Sequence, residues 1–95
     1  MPASTTDVII RPTDGWTLVA TNPSYLLVTP HENRQWFVAV TAGSAPAANL
    51  IGAAMRGGDD RFTFETGALT GTVYVRVKEP VDNTGRGMMF GIIKA

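Results

Sequence analysis

Residues Thr72 to Lys78 read Thr-Val-Tyr-Val-Arg-Val-Lys, and this strict alternation constrains the fold more than any other stretch of the chain. A helix advances about 100° per residue and would scatter Val73, Val75 and Val77 around its circumference. A strand, with its period of two, lines the three valines along one face. Thr72, Tyr74, Arg76 and Lys78 then share the opposite, more polar face. The segment predicts a half-buried strand with its valines in a core.

The same pattern recurs along the chain. Arg61-Phe62-Thr63-Phe64-Glu65-Thr66 places both phenylalanines on one side. Gln35-Trp36-Phe37-Val38-Ala39-Val40 is apolar on both faces, as a central strand is, and it makes Trp36 a core residue. Asp7 to Arg11, Trp16 to Ala20 and Ser24 to Thr29 are short and rich in β-branched or aromatic residues, and Met88 to Lys94 forms a last strand. Turn chemistry separates them: Thr13-Asp14-Gly15, Thr21-Asn22-Pro23, Pro30 to Arg34, Arg56-Gly57-Gly58-Asp59-Asp60, Thr66 to Gly71, and a longer loop from Glu79 to Gly87.

One segment is ambiguous. Ala45 to Met55 is alanine-rich, and Pro46 and Gly57 would suit the start and stop of a short amphipathic helix. Gly52 falls inside it and every flanking segment is a strand, so strand or irregular structure is favoured over helix. The expected fold is all-β: a small antiparallel β-sandwich or jelly-roll-like barrel of about seven to eight short strands. Residues 1–6 are expected to form a polar N-terminal arm and residues 7–95 the single domain.

A chain of 95 residues buries only about two-thirds of the surface that its unfolded form exposes. Small domains commonly add disulfides, metals or partners to that core. With no cysteine and one histidine, disulfides and thiolate metal sites are excluded, which leaves association as the expected support. Formal charge is zero, so the basic excess of nucleic-acid binders is missing. No apolar run reaches the roughly 18–20 residues that a membrane helix needs, and the N-terminus lacks the basic and apolar segments of a secretory signal. Neither nucleic acid nor membrane is an expected partner.

Residues with chemical potential are few. His31 could act as a base, but no motif marks an activated serine, and a loop histidine after Pro30 is the favoured reading. Asp59-Asp60 lacks the spaced carboxylates of a calcium loop. The glycines around Arg86 lack the Gly-Lys-Ser/Thr ending of a phosphate loop. Neither Asn22 nor Asn83 heads a glycosylation triplet. Trp16, Tyr25 and Tyr74 could present rings to a sugar, although core packing is favoured for Trp16. No enzyme, cofactor or metal is expected.

Met88-Met89-Phe90-Gly91-Ile92-Ile93 is the departure from self-sufficiency. Met88, Phe90 and Ile92 line one face, and Met89 and Ile93 the other. Two apolar faces fit a strand covered on both sides or one meeting another chain, and both readings stay open. The residues expected to touch a partner are Pro2 and Thr5 in the arm, Asp7 next to it, Arg86 in the Glu79–Gly87 loop, and Met88, Phe90 and Ile92. Deleting residues 2–6 is expected to leave the domain folded.

From Ser24 to Lys94 the order of features resembles small β-sandwich virion proteins of tailed bacteriophages, of the capsid decoration (cement) or head-fibre type. The resemblance lies in Tyr25 to Pro30, Asn33-Arg34-Gln35 with the strand Trp36 to Val40, Phe62-Thr63-Phe64, Thr66-Gly67, Gly71-Thr72-Val73-Tyr74-Val75-Arg76 and the final apolar strand. Val40-Thr41-Ala42-Gly43 stands where the family often has an asparagine. The resemblance implies a non-enzymatic particle component, commonly a homotrimer, that binds the major capsid protein on the outside of the head. It would be made in the bacterial cytoplasm and end in the virion. A tail or fibre component touching host glycans is the alternative, followed by a cellular adaptor.

Overall fold

A computed structural model of the protein describes residues 4–47, 49–56, 61–64, 71–78 and 85–95. The turns at Gly57–Asp60 and 65–70, residues 79–84 of the long loop, and Pro2 lie outside the described residues.

Among the described residues eight strands follow in order: β1 (Ser4–Ile10), β2 (Thr17–Thr21), β3 (Leu26–Pro30), β4 (Trp36–Thr41), β5 (Ala53–Met55), β6 (Phe62–Phe64), β7 (Thr72–Val77) and β8 (Met88–Lys94). They form two antiparallel four-stranded sheets, β1-β8-β3-β6 and β2-β7-β4-β5. The pairing is nested, with β1 on β8, β2 on β7, β3 on β6 and β4 on β5. Two further ladders, β3 on β8 and β4 on β7, complete the sheets. This is the strand order of a jelly roll, a double-sheet sandwich in which consecutive strands cross between sheets at every step but the one from β4 to β5. Among the described residues there is no α-helix. The ambiguous segment resolves as irregular chain that becomes strand only at Ala53–Met55.

The crossing from β1 to β2 shows how local sequence sets the path. Pro12–Asp14 forms a single 3-10 turn, and the Arg11 N–H donates to Asp14 Oδ2 at 2.8 Å. Gly15 follows at φ 65°, a conformation that costs glycine little.

Alternation decides the core. Val73, Val75 and Val77 of β7 are buried and face Ile10, Leu26, Val28, Met88 and Phe90 of the other sheet. Trp36 is fully buried, and its ring meets that of Phe90 edge-on, with centroids 5.1 Å apart and an interplanar angle of 68°. Lys94 spans the sandwich at one end, its Nζ donating to Val19 O at 2.9 Å.

Two expectations need correction. Ser4, Thr5 and Thr6 are not a free arm: they pair with Lys94, Ile93 and Ile92 in the β1–β8 ladder. Deleting residues 2–6 therefore strips three cross-strand pairs. The boundary was missed because a polar strand that buries one side chain, Ile10 at its far end, carries no apolar period at its start. The outward face of β7 is also less open than its polarity implies. Thr72 and Tyr74 are buried, with Tyr74 flanked by Leu18 and Ala39 in the ladder, and Arg76 is partly buried.

Candidate interaction surface

The outer face of the β1-β8-β3-β6 sheet gathers the candidate residues. Cross-strand registers lay them out in rows: Thr5, Ile93, Leu27 and Thr63; then Asp7, Gly91 and Thr29; then Ile9 and Met89. The third row is anchored where the His31 N–H donates to Met89 O at 2.9 Å. Ile9 and Met89 are half or nearly half exposed, 50% and 41%, and Leu18, Val40, Leu50 and Ile51 are exposed to a similar degree elsewhere on the molecule.

Gly91 opens this face. A Cβ at that position would stand 3.2 Å from His31 Nε2 and 3.7 Å from Asp7 Oδ1. Without one, the His31 ring lies across β8 and brings Nε2 to 3.6 Å from Asp7 Oδ1. The ring separates two shallow depressions. One, of about 230 Å³, is lined by Thr5, Asp7, Leu27, Thr29, His31, Gly91 and Ile93. The other, of about 240 Å³, is lined by Ile9, His31, Glu32, Gly87 and Met89. Imidazole and carboxylate are two parts of a nucleophilic triad, but among the described residues no hydroxyl hydrogen-bonds the imidazole to supply the third. The described residues also contain no cluster of three or more side chains that could hold a metal ion.

A guanidinium organises the border of the second depression. Arg34 Nη1 donates to Arg86 O at 2.9 Å and Gly87 O at 3.1 Å, and Nη2 donates to Lys78 O at 3.1 Å. One side chain thereby ties both ends of the segment joining β7 to β8. Glu32 completes the cluster, with Oε1 3.3 Å from Arg34 Nη1 and Oε2 3.4 Å from Arg86 Nη1. The Arg34 side chain is 11% exposed, so these contacts are partly shielded from solvent.

On the opposite sheet, the Arg76 guanidinium lies between two rings, 5.0 Å from the Trp16 centroid and 4.9 Å from that of Phe37. Trp16 also closes over Gly52. Of the three aromatic residues that could serve a sugar, Trp16 is stacked on Arg76 and Tyr74 is buried; Tyr25 is half-buried.

The structure divides the residues expected to contact a partner. Thr5 and Asp7 are exposed on the outer face of β1, and Arg86 is exposed beside Glu32. Met88, Phe90 and Ile92 are instead core residues, at most 6% exposed, and are unavailable to a second chain. The outward face of β8 belongs to Met89 and Ile93. Periodicity separates these two sets but carries no sign of which is inside. His31, Gly91 and Arg34 were not among the expected contacts. Arg34 had no local signal, because the groups it binds are 44 to 53 residues away in sequence.

No family model, curated protein or solved structure matches the chain. The described residues define it as a small jelly-roll domain with two shallow depressions on the outer face of one sheet.

Proposed function

We propose that the protein is a structural component of a tailed-phage virion, most specifically a capsid decoration protein that binds the outside of the head and stabilises it through subunit contacts. The observation that carries this reading is the nested eight-strand order, an architecture used by viral capsid proteins, combined with the apolar outer face around Ile9 and Met89. Jelly rolls also serve lectins and cupins, so the surface bears more of the argument than the fold does. A face with large apolar side chains, bordered by the Glu32–Arg86 pair, has the anatomy of a protein contact with an apolar centre and a polar rim. The resemblance adds the major capsid protein as partner and a homo-oligomer, commonly a trimer, as the attached form.

The test is location. Mass spectrometry of heads and tails separated from purified particles is expected to recover the protein with heads, in amounts comparable to the capsid subunit. Recovery with tails alone would support the alternative, a tail or fibre component. That reading is disfavoured by the stacking of Trp16 and the burial of Tyr74, which leave fewer free rings for a glycan.

A further inference from the structure

The four sheet edges differ in a way the virion reading does not require. β5 and β6 are three residues long, and β2 is interrupted by a register shift between Leu18 and Ala20. Short or bulged edges are the usual protection against pairing with another chain. β1 has neither feature. Its seven residues keep an unbroken register against β8, from Ser4 opposite Lys94 to Ile10 opposite Met88. Its sequence, Ser-Thr-Thr-Asp-Val-Ile-Ile, contains no proline, glycine or lysine. Among the described residues it pairs with β8 alone, and Ser4 to Asp7 and Ile9 are exposed.

We propose that β1 is a self-association edge, pairing antiparallel with β1 of a second copy about a two-fold axis at Asp7. Only one antiparallel register pairs all seven residues. It sets Ser4 against Ile10, Thr5 against Ile9, Thr6 against Val8, and Asp7 against its own counterpart. Five of the seven residues are β-branched and suit cross-strand packing. Ile9, half exposed in the single chain, gains Thr5 of the second copy beside it.

The axis brings two like charges together, which opposes pairing. The structure places the counter-charge. His31 Nε2 lies 3.6 Å from Asp7 Oδ1, so two protonated imidazoles and two carboxylates would alternate around the axis. Other charges near His31 are already engaged: Glu32 with Arg34 and Arg86. β8 presents Met89 and Gly91 to the ring and β3 presents Thr29, none of them charged. Histidine changes charge between about pH 5 and 8. The two carboxylates repel each other unless charged imidazoles stand between them, so the contact is strongest at acidic pH and weakens as pH rises.

Light scattering of the intact chain tests this. At about pH 5.5 the expected mass is twice the 10.1 kDa of one chain, with an affinity about tenfold weaker at pH 8. Asp7→Asn is expected to dimerise at both pH values, and Asp7→Lys at neither. The chain has no cysteine, so Asp7→Cys provides a register test. Opposed residues have Cβ atoms about 4.5–5.5 Å apart, near the span of a disulfide. Mild oxidation should link Asp7→Cys chains but not Thr5→Cys chains, whose thiols face Ile9. A wild-type monomer at both pH values, a trimeric mass, or equal cross-linking of the two cysteine variants overturns the proposal.

Discussion

Trp36 and Phe90 come from different sheets and meet edge to face at 5.1 Å, both fully buried. Their contact joins β4 to β8 through the centre of the sandwich. Phe90→Ala is expected to destabilise the domain by about 3–5 kcal/mol, through lost burial and the cavity left beside Trp36. Guanidinium unfolding followed by tryptophan fluorescence measures it. A loss below about 1 kcal/mol would mean that the two sheets do not depend on this contact.

Arg34→Lys retains the charge but loses the fork that reaches Lys78, Arg86 and Gly87 together. The expected cost is about 0.5–1.5 kcal/mol, because the carbonyls that lose donors are exposed or part-buried and water can replace them. Hydrogen exchange should quicken most at the start of β8. A uniform change across all eight strands would contradict the localised clamp.

Gly52 has φ +74°, and a Cβ there would stand 2.7 Å from Val38 O and 2.8 Å from the Trp16 ring. Gly85 has φ +69° but open space around it. Gly85→Ala is expected to cost about 1–2 kcal/mol from backbone strain alone. Gly52→Ala should cost clearly more, since the Val38 carbonyl belongs to a ladder and cannot swing aside. Thermal unfolding of the two variants side by side provides the comparison.

Arg76→Ala removes the cation held between Trp16 and Phe37. A stability loss of about 1–2 kcal/mol is expected, with a shift in Trp16 emission as the ring is released. Arg76→Lys should recover part of the stability, because an ammonium cannot stack as a planar guanidinium does. Full recovery with lysine would reduce the interaction to charge alone.

These residues also show what the sequence made legible. The valines of β7 and the two faces of β8 followed from a period of two, and Trp36 was placed in the core because its strand is apolar on both sides. Long-range assembly was not legible. Nothing local to Arg34 announces three carbonyls from a distant loop, and nothing in Met88-Met89-Phe90 says which face the second sheet covers. The candidate surface was half visible for the same reason. Thr5 and Asp7 were named from β1, but their neighbour His31 arrives from the end of β3, through a gap that Gly91 leaves open.

The nested pairing sets the order in which this molecule can be assembled in time. Ser4 and Lys94 are partners, so the outermost ladder joins the first described strand to the last, whereas β4 and β5 enclose the shortest loop. Ladders of such sequence separation carry the largest closure entropy and place the chain among the slower folders, in the millisecond-to-second range. Until β8 arrives, β1 has no partner among the described strands and β3 has only β6. The strand that closes the first sheet is therefore made after the seven others, and β1 and β3 cannot be joined into one sheet before it is in place.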